Sequence, residues 1–174
     1  MTLTVEDGTG IAGADSYASL VFLIAYWTAR PHDPLGVAFL AAAETKQEGA
    51  AREATIYMDA TFGPSYRGQR RGYVQGRLFP RTGALDDANY PLPDLPDCLA
   101  EAQAELAGRA ITKRLAKDAA QGGRVKRVKI AGAGEREFFE GAPAETLYGS
   151  VAGILDPVLD GTQSGAKDNH WGWA

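Results

Sequence analysis

Five arginines fall between positions 67 and 81, namely Arg67, Arg70, Arg71, Arg77 and Arg81, with no acid among them and with Tyr66, Tyr73 and Phe79 interleaved. Guanidinium groups form bidentate bonds to phosphate, and neighbouring aromatic rings can stack on bases, so the pattern suits a polyanion. It suits equally a set of bridges to acidic residues of an adjacent subunit, or a solvated loop. A second feature lies at Trp171-Gly172-Trp173, just after His170. Two indoles on a glycine-containing segment are hard to bury by local folding, and such residues typically dock against a protein groove.

Other chemistry finds little support. Asp86-Asp87 and the pair Glu135 and Glu137 stand in charged, solvated contexts, so neither reads as an acid/base pair with a shifted titration. His32, between Pro31 and Asp33, and His170 belong to no metal-ligand spacing, and a single Cys98 can form neither an intramolecular disulfide nor a cysteine zinc site. Cys98 reads as a small buried residue. Gly132-Ala133-Gly134 follows a possible strand, yet no helix opens after it and no P-loop lysine appears. No catalytic residue, cofactor site or metal site is expected, and the chain reads as a protein that is not an enzyme.

The charge is segregated. Residues 67 to 129 carry thirteen Lys and Arg against seven Asp and Glu, whereas the rest carries five against fifteen, for a net of −4. A dedicated nucleic-acid binder is expected to be basic overall, and this chain is not. Opposite-sign regions within one chain favour association between neighbouring copies as readily as binding of a polyanion.

These residues must be positioned by a single domain: 174 residues, 45% hydrophobic and 23% charged, are enough for one core of ordinary size. No apolar run is long enough to span a membrane, and the N-terminus lacks the basic start of a secretory signal, so a soluble intracellular protein without membrane contact is expected. Residues 1 to 14 read as an extended arm. Asp15 or Ser16 then offers an N-cap to a helix running to about Arg30, with Tyr17, Leu20, Val21, Ile24 and Trp27 at helical spacing. Pro34 to Ala43 reads as a short helical turn, and Thr45 with Glu48 has capping-box spacing for a helix to Phe62 with Ala51, Ala54, Tyr57 and Met58 inward. Residues 63 to 96, rich in proline and glycine and without a sustained period, read as a long loop. Pro96, with Asp94 or Asp97, opens a helix whose stripe is Leu99, Ala102, Leu106, Ala110 and Ile111, ending near Asp118. Arg124 to Ile130 and Glu135 to Phe139 read as a hairpin, and Thr146 to about Leu155 as a last helix. The expected fold is mainly α: a small helical bundle over residues 1–160, with a long central loop at 63–96, a β-hairpin at 124–139 and extended N- and C-terminal arms, the latter being a docking tail at 161–174.

Five segments together carry a resemblance. Val5-Glu6-Asp7-Gly8-Thr9-Gly10, Ala14-Asp15-Ser16-Tyr17, Arg52 to Asp59, Phe79-Pro80-Arg81-Thr82-Gly83 and Ala102 to Ala107, in that order, resemble a family of tailed bacteriophages and prophages labelled DnaT-like single-stranded-DNA-binding proteins. The likeness covers roughly residues 4 to 159; Phe79-Pro80 stands where the family usually has Trp-Pro. The resemblance also implies a place among phage head-tail adaptor (connector) proteins. Such proteins form a twelve-membered ring between the portal protein and a tail-side stopper or terminator protein, at the virion neck. Double-stranded DNA passes through the ring with weak, transient contact, and the subunits are made in the host cytoplasm. On that implication Trp171, Trp173 and His170 dock the tail onto the portal, while Arg67, Arg70, Arg71, Tyr73, Arg77 and Arg81 face a neighbouring subunit or DNA. The alternative is literal single-strand binding through Arg67, Arg70, Arg71 and Tyr73.

Overall fold

The computed structural model describes residues 2–116, 125–131, 133–138 and 148–160. The described residues form five α-helices: α1 (Leu20–Thr28), α2 (Pro34–Ala41), α3 (Glu44–Phe62), α4 (Asp97–Ala110) and α5 (Gly149–Leu155). Two antiparallel pairs accompany them, β1 (Gln69–Arg70) with β2 (Arg81–Thr82), and β3 (Val125–Ala131) with β4 (Ala133–Phe138). The fold is thus mainly helical with a small hairpin, as the sequence suggests. The predicted hairpin is present in the backbone, and its strands extend further towards the turn than expected, since Ala131 pairs with Ala133.

The centre of the bundle is α3 against α4, with α1, α2 and α5 also packed on α4. Leu99, Ala102, Leu106 and Ala107 of α4 meet Ala51, Ala54 and Met58 of α3, all fully buried. Small residues on both helices let the axes approach, so alanine here contributes proximity more than area. The indole of Trp27 fills the space beside them between two glycines. A Cβ on Gly36 would lie 2.7 Å from its Cε3, and one on Gly108 would lie 2.5 Å from its Cζ2. Both positions therefore need glycine for close approach.

Several helix ends differ from expectation, each for a visible reason. The N-cap of α1 is Ser19, whose side chain accepts from Phe22 N. Asp15 is instead engaged by Thr4 N and by Arg52 Nε, and the Ser16 hydroxyl is turned inward, donating to the Ala18 carbonyl. On α1, Leu23 and Trp27 are buried while Val21 and Ile24 face outward. With eight apolar residues in nine, neighbouring helices rather than periodicity chose the inner face. Helix α3 begins at Glu44 with Ala43 at the cap, so Thr45 is inside the helix and no capping box forms. Helix α4 ends at Ala110, well before Asp118, because the chain turns back over α3, where Leu115 N donates to Glu53 Oε1 at 2.7 Å. At its start, Asp94 pairs with Arg71 and caps nothing. Cys98 is half-buried on the first turn of α4, and burial pushes its thiol up to about 11.

The N-terminal arm is not extended as expected but doubles back on itself, with Asp15 N donating to Thr4 O and Glu6 N to Ser16 O at 2.8 Å each. Val5 bridges Ser16 in parallel, and the Glu6 carboxylate, buried, accepts from Gly8 N, Gly10 N and Ile11 N at 2.8–3.0 Å. Gln103 ties the arm to α4. Its Oε1 accepts from Tyr17 N and Ala18 N at 2.9 Å each, and its Nε2 donates to Ser16 Oγ at 2.6 Å and Ala51 O at 3.1 Å. All four hydrogen-bonding positions of a fully buried amide are used.

Candidate interaction surfaces

The loop from Gly63 to Pro96 is folded onto the bundle, and its arginines are what hold it. Arg81 donates through Nε to Arg67 O at 2.7 Å and through Nη2 to Gly68 O at 2.6 Å. Arg67 reaches Leu159 O at 2.8 Å and Leu85 O at 2.9 Å, and pairs with Asp87. Arg71 donates to Gly8 O at 2.8 Å and pairs with Asp94; Arg70 donates to Gln75 O at 2.8 Å. Arg77 donates through Nε to Ala14 O at 2.8 Å and stands 3.6 Å from Asp59 Oδ2. A loop with only a two-residue ladder leaves its carbonyls without regular partners, and each must find a donor if removed from water. The five-donor fork of arginine supplies that at long reach.

Gln75 sorts the turn between these groups. It is buried, accepts from Gly72 N at 2.8 Å, and donates to Arg77 O and Pro80 O at 2.9 and 3.1 Å. The turn thereby pushes Tyr73 and Val74 into solvent, where Tyr73 is 98% exposed. The sequence-predicted set Arg67, Arg70, Arg71, Tyr73, Arg77 and Arg81 is thus gathered in one loop. Tyr73 is its free aromatic tip, whereas the guanidinium groups all have carbonyl partners within the chain.

Between this loop and α3 lies an open cleft of about 430 Å³, lined by Ile56, Asp59, Ala60, Arg70, Gly76, Arg77 and Leu78. Its floor is a polar knot. Tyr17 Oη donates to Asp59 Oδ1 at 2.6 Å and accepts from Leu78 N and Phe79 N at 3.1 and 3.3 Å. Burial pushes the Asp59 carboxyl above the usual carboxylate range, against the opposing pull of the Tyr17 hydrogen bond and of Arg77. Burial and the Asp59 charge push the Tyr17 hydroxyl well above the usual phenol range. The Tyr66 hydroxyl, also buried, has no hydrogen-bond partner among the described residues.

A different surface is formed by α1 and α2. Their seventeen residues, LVFLIAYWT and PLGVAFLA, include no charge, yet only Leu23, Trp27, Gly36 and Phe39 are buried. Val21 is 77% and Val37 56% exposed, and Phe22, Ile24 and Leu40 also face solvent. Apolar side chains gathered on the outside of two packed helices mark an association surface more often than chance exposure.

In the sequence, Glu6, Asp59 and Gln103 stood out only as members of the resembling segments, with no role of their own, and Gln75 not at all. For Gln103 a signal existed, since a polar residue sits within the apolar stripe between Ala102 and Leu106. The tail residues His170, Trp171 and Trp173 lie outside the described residues, as do Thr146, Leu147 and Asp118. His32 is exposed in a turn. No helix among the described residues is long and apolar enough to cross a membrane.

In comparison with known proteins, a family model described as "Putative DnaT-like ssDNA binding protein" matches residues 1–169. No curated protein and no solved structure matches.

Proposed function

We propose that this chain, which belongs to the DnaT-like ssDNA-binding family, works as a structural assembly subunit, the head-tail adaptor of a tailed phage. Copies form a ring, of twelve by the resemblance, between portal and tail-side stopper or terminator at the virion neck, and double-stranded DNA passes through the lumen. The observation that carries this reading is the apolar outer face of α1 and α2, led by Val21 and Val37. A face of that composition gains by burial against a protein and offers nothing to a polyanion. The arginine loop adds support of a second kind. Its guanidinium groups have carbonyl partners inside the chain, and the net charge of −4 disfavours a tight grip on DNA that must slide.

The test is imaging and co-purification with the portal protein. Wild type should form rings seated on the portal, and V21E/V37E should lose that assembly while its circular dichroism is unchanged. Rings that survive the double variant would overturn the role given to this face. Truncation after Gly161 should abolish docking to the portal and leave the fold intact; unchanged docking would remove the tail residues Trp171, Trp173 and His170 from the interface.

A second reading is single-strand binding through Arg67, Arg70, Arg71 and Tyr73. The almost complete exposure of Tyr73, beside the exposed Arg70 and Arg71, favours it, because a free ring among cations is a stacking platform. Binding of a labelled oligonucleotide that weakens steeply with salt would support it, and no binding at low salt would exclude it.

A further inference from the structure

We propose that one row of charges on α4 sets copies of this chain in register, the acidic end of the row, Asp97 and Glu101, meeting the basic end, Lys113, of the next copy. The inference rests on that part of the assembly reading in which copies meet, and deepens it by naming the groups that orient them. Asp97, Glu101, Glu105, Arg109 and Lys113 follow one another four apart, three acids and then two bases. Lys113 keeps the spacing although α4 ends at Ala110, because its N donates to Arg109 O at 3.2 Å. Asp97 and Glu101 are exposed at one end of the row and Lys113 at the other.

The helix alone does not account for this order of signs. The pull of the helix dipole fades beyond the first turn, and Glu101 and Glu105 lie further in. Like charges at i, i+4 repel, so the contacts of Asp97 with Glu101 and of Glu101 with Glu105 destabilise the isolated helix, which a row alternating in sign would favour. A segregated row suits a partner that presents the opposite charge, and the other end of the same row is such a partner.

The middle of the row is already engaged within the chain. Glu105 Oε1 accepts from Tyr26 Oη at 2.9 Å, Glu105 Oε2 accepts from Arg109 Nη1 at 2.7 Å, and Arg109 Nη2 donates to Ser150 Oγ at 3.2 Å. The ends differ. Among the described residues Asp97, Glu101 and Lys113 form no ion pair, and Lys113 has only the Tyr148 ring, 5.6 Å away, beneath its ammonium group. A row of this spacing winds about 40° around the helix per step, so its two ends face different directions and engage different copies. Contact between unlike ends is head-to-tail, the kind that closes into a ring rather than stopping at a pair.

The row also borders the apolar face of α1. Glu105 holds the Tyr26 hydroxyl, and the Tyr26 ring stands 6.3 Å from that of Phe22, which is exposed on that face. An apolar centre edged by charges is the layout of a protein interface. Burial supplies the affinity, while rim charges, each worth little in water, exclude wrong orientations.

The experiment is sedimentation of the full chain, alone and with portal protein, for wild type, Glu101→Lys, Lys113→Glu and an equal mixture of the two variants, circular dichroism checking each fold. Each reversal turns an attraction into a repulsion, which across about 4 Å of water-like medium should weaken association of copies about tenfold or more at low salt. The mixture should recover it, because alternating copies again join unlike charges at every contact. Glu101→Lys should meanwhile raise the urea midpoint of the unassociated chain, since it ends both like-charge contacts within α4. Single variants that associate as wild type does would overturn the proposal, and so would a folded mixture that fails to recover. Wild-type copies that meet neither alone nor on the portal, or that stop at two, would overturn it as well. Association that follows this charge pattern without portal binding would uphold the register and sink the adaptor reading; rings on the portal that neither reversal disturbs would do the opposite.

Discussion

Replacing Gln103 by leucine tests how the arm is joined to the bundle. The two side chains are close in size, so the cavity contribution is small and the change isolates hydrogen bonding. The Gln103→Leu variant would leave Tyr17 N and Ala18 N, both on buried residues, without the Oε1 that accepts from each at 2.9 Å. Each buried donor left unsatisfied costs about 1–3 kcal/mol. The groups served by Nε2 are less affected, because Ser16 Oγ still donates to Ala18 O and the Ala51 carbonyl still accepts from Thr55 Oγ1. Burying an additional apolar group returns about 1–2 kcal/mol. The midpoints of these ranges leave a net loss of about 2.5 kcal/mol, read as a lower urea midpoint at unchanged slope, or a fall in Tm of roughly 5–10 °C for a chain of this size. A variant within about 0.5 kcal/mol of wild type would refute the reasoning, since it would mean that the two donors find water or other partners at no cost.

Gly108→Ala should destabilise by about 1–3 kcal/mol, because the new Cβ would lie 2.5 Å from the Trp27 ring, whereas Gly49→Ala on the open side of α3 should stabilise by about 0.5–1 kcal/mol; urea titration of both variants checks the contrast. Tyr17→Phe removes a hydroxyl with three partners and should cost about 1–3 kcal/mol, while Tyr66→Phe removes one with none among the described residues and should be neutral or stabilising by up to about 1 kcal/mol in the same assay. Burial raises the Asp59 carboxyl in the folded state, so its ionisation disfavours folding above the folded-state titration, and the penalty disappears as pH falls through it. Asp59→Asn should therefore gain more on wild type at pH 7 than at pH 4, measured by urea midpoints; a gap that widened on acidification would contradict this.

What could be read in the sequence was set by how distinctive each pattern is. In α3 Ala51, Ala54, Tyr57 and Met58 are inside as their spacing requires, while Gln47, Glu48 and Thr55 are buried with them and Ile56 faces out. In α1 nearly every residue is apolar, so several faces were equally plausible and the choice of Leu23 over Val21 belonged to α2 and α4. The arginine cluster was visible as a cluster. Its attachment to carbonyls at Ala14, Gly8 and Leu159 was not, because such bonds have no period and join positions far apart in the chain. The same holds for Asp59, an ordinary helix acid until Tyr17 and Arg77 close around it. The segments that carry the family resemblance prove to be the fasteners of the fold. Glu6 organises the arm, Ser16 meets Gln103, Asp15 meets Arg52, and Arg81 ties the loop to itself. They identify a way of folding, and the most exposed apolar and aromatic side chains, Val21, Val37 and Tyr73, lie outside them.

The seam between Tyr17 and Gln103 spans 86 positions, and this has a bearing on how the molecule is born. A ribosome adding about 5–20 residues per second reaches the amide about 4–17 s after it has made the tyrosine. For that interval the opening stretch has no place to settle, and the apolar α1 and α2 wait alongside it with α4 still unmade. Closure then couples the earliest part of the chain to a late one, a non-local event that slows folding relative to a bundle of sequence neighbours. Nascent chains of this protein should accordingly be most vulnerable to capture by chaperones, or by one another, before Gln103 is synthesised and safest once it has been.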